Sequence, residues 1–421
     1  MPEQAGATLR PMTERYRRPD WVRRLNAMAD SVGGDARRIV PIDARELLEE
    51  AETSLGFAPR GHFGDPSWRQ RFTELACAVD ASTMHVVGRL MTRQELLRAL
   101  RTRFLLTREV DADPTIADAP IEAPVIVTGP ARSGTTILFE LLALDPALRA
   151  PAAWQALHPL PRAQAARDEQ QRLAASECEQ ELWADVQPEF AAIHELRSDL
   201  PVECVTLTLP CFSGPHWMMV AQLAGFTPDN AVMYDFHRRI LQVMQHGGPK
   251  RTWLLKTPGH LMTLEMLFTT YPDAWVVQTH RDPAKTMPST VSTTAMVQWM
   301  RTDHVDVAPL AQAIEMAFTY GLNHSVELRT TARDTVPQRF VDVHFDRLMK
   351  DPVGAVGDAY ATMGRSFTGQ HADRIRAYLR DKPKGKFGTH RYAPEDWGFT
   401  ADSLRRGLAP YVEHFRVALE D

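Results

Sequence analysis

Several features that would assign the chain to other protein classes are missing from its sequence. Only four of the 421 residues are cysteine, with no C-x-x-C pair and no zinc-ligand spacing, so we expect reduced thiols. The histidines show no H-E-x-x-H or comparable spacing, and we expect no metal site. No segment approaches the ~20 apolar residues of a membrane span. Because the N-terminus also lacks the apolar core of a signal peptide, we expect a cytoplasmic protein without an integral membrane segment.

An excess of positive charge is absent as well. The formal net charge of −5 argues against nucleic acid as a partner, although a local basic pocket could still bind a small anion. With 421 residues and 44% hydrophobic content, the chain is long and apolar enough to bury a large core. The sequence carries no signal for its oligomeric state.

The chain is organised around residues 124–144, which read PVIVTGPARSGTTILFELLAL. The β-branched start predicts a buried parallel strand, and the spacing of the later apolar residues predicts a helix. Between them lies the G-x-x-x-x-G spacing of a nucleotide P-loop, but Thr135 stands where the lysine that reaches the β- and γ-phosphates would be. Free backbone N–H groups at the helix start would form an anion cradle with the loop residues Arg132, Ser133, Gly134, Thr135 and Thr136.

This loop predicts a phosphate site without the lysine and magnesium of a triphosphate site. A tight strand-to-helix turn that binds no ligand is the alternative. The surrounding fold is predicted from three later apolar segments, at 253–256, 274–279 and 339–343. Strands that alternate with helices imply right-handed crossovers and a parallel sheet. We therefore predict an α/β fold with a P-loop-like parallel sheet flanked by helices.

Two parts of the chain are predicted to differ in structure. Residues 1–115 form a helical N-terminal cap or extension, and residues 120–421 form the α/β core. In the cap, Asp43 and Thr92 are predicted helix N-caps. The second of these helices carries one apolar stripe, formed by Leu96, Leu97, Leu100 and Phe104.

Polar residues follow three of the predicted strands. Arg132 follows the first strand, Lys256 ends the second with His260 after it, and Arg281 follows the third. Ligands of open parallel sheets bind beyond the carboxyl ends of the strands, so we expect these side chains to converge. A basic run at 382–392, KPKGKFGTHRY, is a candidate phosphate grip in an otherwise acidic protein. Taken alone, this run would be interpreted as a solvated loop.

In this order, the four motifs resemble those of the sulfotransferases that depend on 3′-phosphoadenosine 5′-phosphosulfate (PAPS), within them the bacterial branch related to tyrosylprotein sulfotransferases. PARSGTT resembles the family's loop for the 5′-phosphosulfate. VVQTHRDPAKTMPS resembles its strand and helix for the 3′-phosphate, which implies binding roles for Arg281 and Ser289. LKTPGHL is similar to the family's Lys-Thr-His-Leu-Pro stretch, with two extra residues before His260. KPKGKFGTHRY resembles the C-terminal loop that closes over the 3′-phosphate, which implies cofactor contacts for Lys384, Gly385, Lys386, His390 and Arg391.

The resemblance covers most of the chain and implies a sulfotransferase that moves a sulfonate group from PAPS to an acceptor hydroxyl and releases 3′-phosphoadenosine 5′-phosphate (PAP). The apolar cap favours a hydrophobic alcohol, a phenol or a lipid-like molecule as acceptor. PAPS has no γ-phosphate, and a loop that binds it needs neither the missing lysine nor magnesium.

The sequence departs from the family pattern at the catalytic base. The tyrosylprotein enzymes use a glutamate shortly after the first helix, but this region contains Gln155, which cannot accept a proton. We therefore expect His260 to accept the proton of the acceptor hydroxyl, because an imidazole pKa near ~6.5 suits neutral pH. Glu203 and His194 are the alternatives. Arg132 and Lys256 would neutralise charge on the transferring sulfonate.

Two other functions remain open from the sequence. A P-loop-type small-molecule kinase would bind ATP with magnesium, and the missing lysine argues against it. A catalytically inactive, nucleotide-binding relative would keep the fold without the reaction. The presence of Arg132, His260 and Arg281 argues against that alternative.

Overall fold

The structure is a computed structural model that describes residues 9–161, 168–193, 195–220, 223, 226–382 and 393–420. Helices come first in the chain. The α-helices of the N-terminal part are Met12–Arg15 (α1), Asp20–Asn26 (α2), Ala44–Leu55 (α3), Trp68–Asp80 (α4) and Val86–Ala112 (α5). The predicted apolar stripe lies on α5 and is buried throughout, which confirms this face as a packing surface.

The two predicted N-caps of this part have opposite outcomes. Asp43 is confirmed, because its carboxylate accepts a hydrogen bond from the backbone N–H three residues later at 2.9 Å. The prediction for Thr92 is wrong, because α5 begins earlier and is capped by His85, which accepts from Gly88 N at 3.0 Å. Thr92 lies inside the helix, and its hydroxyl donates to the carbonyl oxygen of Gly88 at 2.9 Å.

A five-stranded parallel sheet follows. Its strands are Val125–Thr128 (β1), Leu148–Arg149 (β2), Thr252–Lys256 (β3), Trp275–His280 (β4) and Phe340–His344 (β5). They lie in the order β2-β3-β1-β4-β5, with β1 at the centre. The predicted parallel sheet is confirmed, and each of the four predicted strands overlaps an observed one. The sequence analysis missed β2, because a strand of two residues has no periodicity to detect.

Helices surround this sheet. The α-helices from the end of β1 onward are Thr135–Ala143 (α6), Ala153–Leu157 (α7), Asp168–Val186 (α8), Cys204–Leu207 (α9), His216–Val220 (α10), Asn230–Gln245 (α11), Leu264–Thr270 (α12), Pro283–Trp299 (α13), Val307–Arg329 (α14), Phe345–Lys350 (α15), Pro352–Thr362 (α16), Gly369–Asp381 (α17), Ala401–Gly407 (α18) and Ala409–His414 (α19). Short 3₁₀ helices occupy Ala27–Val32, Ala36–Arg38, Pro114–Asp118, Pro188–Ala192, Leu209–Cys211, Pro258–Thr263, Arg333–Thr335 and Pro394–Trp397.

The central strand contributes to hydrophobic clusters on both faces of the sheet. Ile126 belongs to a large cluster that runs from Met12 to Val417. Val125 and Val127 belong to a smaller cluster that contains residues of α6 and α16, because successive side chains of a strand point to opposite faces. The large cluster joins the N-terminal helices to the α/β part. The division of the chain into parts 1–115 and 120–421 stays a prediction, and this cluster crosses it.

Candidate active site

The loop between β1 and α6 has the backbone shape of an anion cradle. Gly129 and Gly134 adopt φ angles of +134° and +91°, which favour glycine. A Cβ atom on Gly129 would lie 2.7 Å from the backbone oxygen of Thr279 on β4, so this position also excludes a side chain by contact. The backbone of Arg132 also adopts the left-handed conformation, with a φ of +67°, which is uncommon for a non-glycine residue. Its side chain is exposed and has no ion-pair partner among the described residues.

The hydroxyl side chains of the loop have different surroundings. Ser133 is fully buried; its Oγ donates to the carbonyl oxygen of Pro130 at 2.5 Å and lies 2.5 Å from the hydroxyl of Thr279. Ser133 therefore fastens the loop to β4. Thr135 is buried, whereas Thr136 is exposed.

Lys256 connects this loop to a carboxylate. The lysine ends β3, its side chain is nearly inaccessible, and its Nζ donates to Thr136 Oγ1 at 3.0 Å and to Glu203 Oε1 at 2.6 Å. The second oxygen of Glu203 accepts a hydrogen bond from the Thr257 hydroxyl at 3.2 Å. The ammonium of Lys256 thus hydrogen-bonds both the hydroxyl of Thr136 in the loop and the carboxylate of Glu203.

Local backbone pairing brings Glu203 to this point from a distant part of the chain. The segment before it runs beside the residues that precede α7: Val202 N donates to Pro151 O, and Ala153 N donates to Leu200 O, both at 2.9 Å. Glu203 then forms the N-cap position of α9. The sequence analysis named Glu203 only as an alternative base, because nothing in its local pattern indicates the pairing with Lys256. The other alternative, His194, lies outside the described residues.

His260 lies in the 3₁₀ helix after β3, and 2% of its surface is exposed. Its Nδ1 is 2.7 Å from the hydroxyl of Tyr234 on α11, which is also 2.9 Å from the Thr263 hydroxyl. Its Nε2 is buried and has no hydrogen-bond partner among the described residues. Burial, and secondarily the neighbouring His237, lowers the pKa of His260 to about 3. The imidazole is therefore neutral at pH 7, with a pKa well below the value near 6.5 on which its expected role as base depended.

His260 belongs to a wider cluster of buried aromatic and imidazole groups. The ring of His237 is 5.9 Å from that of His260, and its Nδ1 is 2.7 Å from the Tyr271 hydroxyl. Burial lowers the pKa of His237 to about 4. The imidazole of His260 is therefore hydrogen-bonded to Tyr234 on α11. The ammonium of Lys256 is instead bonded to the loop and to Glu203.

Arg281 follows β4 and meets the loop directly. Its Nη1 donates to the carbonyl oxygen of Arg132 at 2.7 Å. Its guanidinium carbon lies 3.7 Å from the ring centroid of Phe345, and a Cβ atom on Gly134 would lie 3.3 Å from the same ring. The guanidinium of Arg281 and the backbone of the loop that carries Arg132 therefore meet at the carboxyl edge of the sheet, and the convergence of the two side chains stays a prediction.

The remaining donors of Arg281 bind a residue that the sequence analysis did not consider. Nε donates to Glu420 Oε1 at 2.7 Å, and Nη2 donates to Glu420 Oε2 at 2.8 Å. Arg281 and Glu420 lie 139 positions apart, and no local pattern could have paired them. The neighbouring Asp282 caps α13 by accepting from Ala284 N at 2.9 Å.

Ser289 lies on α13, two turns after Arg281. It is fully buried, and its hydroxyl has no hydrogen-bond partner among the described residues. A buried hydroxyl without a partner is costly unless a ligand or a water satisfies it, so this position is compatible with a bound phosphate. The other expected cofactor contacts, Lys384, Gly385, Lys386, His390 and Arg391, lie outside the described residues.

Within the described ranges, no three histidine, cysteine, aspartate or glutamate side chains come together as a metal site would require. No described helix combines the length and the apolar character needed to cross a membrane.

Comparison with known proteins gives consistent matches. The sulfotransferase family matches residues 124–369. This range includes the loop after β1, Lys256, Arg281 and Ser289. Omega-hydroxy-beta-dihydromenaquinone-9 sulfotransferase Stf3 of Mycobacterium bovis is 24% identical over 294 residues, which cover 68% of this chain and 72% of that protein. The protein of the same name from Mycobacterium tuberculosis matches equally.

Two solved structures resemble the fold over nearly its whole length. The sulfotransferase STF9 from Mycobacterium avium superimposes with a TM-score of 0.77 at 25% identity, covering 90% of this chain and 98% of that one. The sulfotransferase STF1 from Mycobacterium tuberculosis gives a TM-score of 0.67 at 26% identity, covering 87% and 98%.

Proposed function

This chain belongs to the sulfotransferase family, whose members are enzymes that transfer a sulfonate group, and from that premise we propose that its donor is PAPS and its acceptor a hydroxylated lipid-like molecule. The observation that carries the proposal is the contact between Arg281 and the loop, through the carbonyl oxygen of Arg132 at 2.7 Å. PAPS carries phosphate groups at the 3′ and the 5′ position of one ribose, so its binding needs two neighbouring anion sites. The cradle at 129–136 and the guanidinium of Arg281 provide them.

Several features support PAPS as the donor. Thr135 replaces the lysine of a triphosphate loop, as a ligand without a γ-phosphate allows. The helix N-terminus of α6 offers backbone N–H groups to the 5′-phosphosulfate. Arg281 and the unpartnered hydroxyl of Ser289 are proposed to bind the 3′-phosphate. When bound, PAPS would supply the sulfonate group and the phosphate leaving group.

Lys256 is proposed to stabilise the negative charge that develops during transfer. Its ammonium is already held at the mouth of the loop by Thr136 and Glu203, at 3.0 and 2.6 Å. A cation fixed before the reaction needs no reorganisation as charge develops. Arg132, whose side chain is exposed beside the same loop, is proposed to add a second positive charge.

Glu203 is proposed to accept the proton of the acceptor hydroxyl. Its carboxylate lies beside Lys256 at the loop, and it is partly exposed at 22%, so an acceptor can reach it. His260 stays the second candidate, since its Nε2 is unpartnered. Its nearly complete burial makes it less accessible to an acceptor than Glu203, whose side chain is partly exposed.

A lipid-like acceptor is proposed on two grounds. One relative named above acts, by its name, on omega-hydroxy-beta-dihydromenaquinone-9. In this chain, α10 packs on α13, the helix that carries Ser289, and leaves Met218 and Met219 exposed at 46% and 38%. Adjacent exposed methionines form an adaptable apolar surface.

The donor proposal is tested by ligand-dependent stability. We expect PAP to raise the melting temperature of the protein, and ATP with magnesium or AMP to raise it less, because a ligand stabilises the folded state it binds. A response to ATP–magnesium that exceeds the response to PAP would contradict the proposal and favour a kinase-like site.

The reaction itself is tested with radiolabelled PAPS and a panel of acceptors that spans long-chain alcohols, phenols and polar sugars. We expect label on the lipid-like alcohols. Lys256→Met should abolish transfer, whereas Lys250→Met, at an exposed lysine before β3, should not change it. Preferential transfer to polar sugars would contradict the acceptor class without affecting the donor.

A further inference from the structure

Arg281, the residue proposed to bind the 3′-phosphate, is occupied by a carboxylate of its own chain. Glu420 accepts two parallel hydrogen bonds from it, at 2.7 and 2.8 Å. An arginine presents this same fork to carboxylates and phosphates. Since Nη1 of Arg281 reaches the Arg132 carbonyl oxygen, the Glu420 carboxylate lies beside the proposed cofactor loop.

The chain changes direction after α19, and this turn places Glu420 beside Arg281. Residues 416–420, which we call the C-terminal strap, begin with Arg416 in the left-handed region at a φ of +51°. Val417 N then donates to Val412 O at 2.9 Å, and the Val417 side chain is buried. A left-handed conformation is unfavourable for an L-residue other than glycine. The turn is therefore maintained by the contacts of the strap and not by local preference.

Both backbone groups of Glu420 are also bound. Its N–H donates to Asp282 Oδ2 at 2.8 Å, and its carbonyl oxygen accepts from Arg405 Nη2 at 2.7 Å. Arg405 also donates to Asp282 Oδ2 at 2.6 Å, and the side chain of Asp282 is inaccessible to solvent. The strap is thus attached to the N-terminus of α13, directly beside Arg281.

We infer that Glu420 is an internal competitor for the phosphate position at Arg281, and that a nucleotide displaces the C-terminal strap when it binds. Nε and Nη2 cannot bind Glu420 and a phosphate in the same geometry at once. The glutamate side chain is 33% exposed, so it can leave its partner without opening the core. This inference rests on the proposed function, because it takes Arg281 as the 3′-phosphate site.

This competition would lower the affinity of the protein for nucleotides that carry a 3′-phosphate. Only the fraction of molecules with Arg281 released can bind the 3′-phosphate, and the apparent dissociation constant rises by the inverse of that fraction. Nucleotides without a 3′-phosphate do not need this position, and the strap does not weaken their binding.

Calorimetric titration of PAP into three proteins tests the inference. We expect Glu420→Gln to bind PAP about fivefold more tightly than the wild type, since a partly exposed ion pair is modest in strength. Glu413→Gln removes the same charge from an exposed position on α19 and should leave the affinity unchanged. Adenosine 5′-phosphosulfate, which has no 3′-phosphate, should bind all three proteins alike.

Hydrogen exchange on the wild-type protein provides a second readout that needs no variant. We expect PAP to accelerate amide exchange within 416–420, because the bond from Glu420 N to Asp282 is lost. Unchanged exchange with PAP bound, or an unchanged or weaker PAP affinity in Glu420→Gln, would overturn the inference and leave the proposed function standing. If none of the three proteins binds PAP while the melting temperatures show all of them to be folded, the proposed function fails and this inference with it.

Discussion

Two polar clusters at the carboxyl edge of the sheet differ sharply in charge. The first surrounds the loop and contains the ion pairs Lys256–Glu203 and Arg281–Glu420. The second surrounds His260 and is built from neutral groups. At pH 7, burial keeps His260 and His237 unprotonated, with pKa values of about 3 and 4, and it raises the pKa of Tyr234 above its ordinary range.

Both Lys256 and His260 are buried, so the difference teaches that the partner of a buried group, and not its burial alone, decides whether a cluster is charged. Lys256 ends β3, and His260 comes four positions later in the sequence. Lys256 retains a carboxylate partner and faces the loop, whereas His260 donates to or accepts from a tyrosine inside the protein. The charged cluster can stabilise a developing anion. The neutral cluster can fix the position of the 3₁₀ helix that connects β3 to α12.

The largest effect expected from this comparison concerns turnover. Glu203→Gln should lower kcat by about 10²–10⁴, because proton acceptance by a positioned group contributes on that order. His260→Asn should lower the melting temperature and change kcat much less. Steady-state kinetics with PAPS and thermal unfolding of both variants would separate the roles.

The opposite pattern would break the comparison. If His260→Asn loses turnover without losing stability while Glu203→Gln stays active, the imidazole is the base despite its burial. PAP affinity serves as the control, since neither substitution touches the residues proposed to bind the 3′-phosphate.

A smaller effect is expected for nucleotide affinity. Arg281→Ala should weaken PAP binding about a hundredfold, because removal of one partner of a hydrogen-bonded charge pair costs about 2–5 kcal/mol. Arg281→Lys should recover only part of the affinity, since lysine keeps the charge and loses the fork. Arg333→Ala, at an exposed arginine outside the site, is the matched control for net charge. A PAP affinity equal to that of the wild type in Arg281→Ala would remove Arg281 from the site.

A third effect concerns the pH dependence of the free energy of unfolding. The pKa of His260 falls from 6.5 in an unfolded chain to about 3 in the folded protein, so the unfolded state binds more protons between these values. The free energy of unfolding should therefore decrease as pH is lowered from about 6.5 toward 3. His260→Gln should be less stable overall but should show a shallower decrease over this range.

A contrasting histidine on the surface sharpens this test. The pKa of His324 is raised, because hydrogen bonds to Glu265 and Glu327 outweigh the opposing effect of burial. Its stabilising contribution is present below pH 6.5 and is lost as pH rises through the folded pKa. His324→Gln should thus remove stability on the acidic side, with a pH dependence opposite in sign to that of His260→Gln. Chemical denaturation at a series of pH values measures both.

Much of the fold could be predicted because it depends on local patterns. The strands β1, β3, β4 and β5 each carry a buried apolar run long enough to recognise. The contact between Arg281 and the loop backbone was also expected from the sequence, since parallel strands place their carboxyl ends at one edge. The cap at Asp43 needed only its own helix start.

The rest of the site depends on residues that are far apart in the chain. Glu203 reaches Lys256, 53 positions away, because the segment before it pairs with the residues preceding α7. Tyr234 reaches His260 from α11. Thr92 was misassigned because the start of α5 is set by His85, whose backbone N–H is bound to Arg301 O at 3.0 Å. None of these pairings has a local sequence signal.

By itself, the sequence determined the parallel sheet, the shape of the loop and the edge at which charged residues gather, because strand periodicity and glycine placement act over a few neighbouring residues. Only the tertiary structure decided which of those residues keep their charge. Burial and long-range partners set the protonation of His260, the ion pair of Lys256 and the occupancy of Arg281, and these depend on which distant segments the fold brings together.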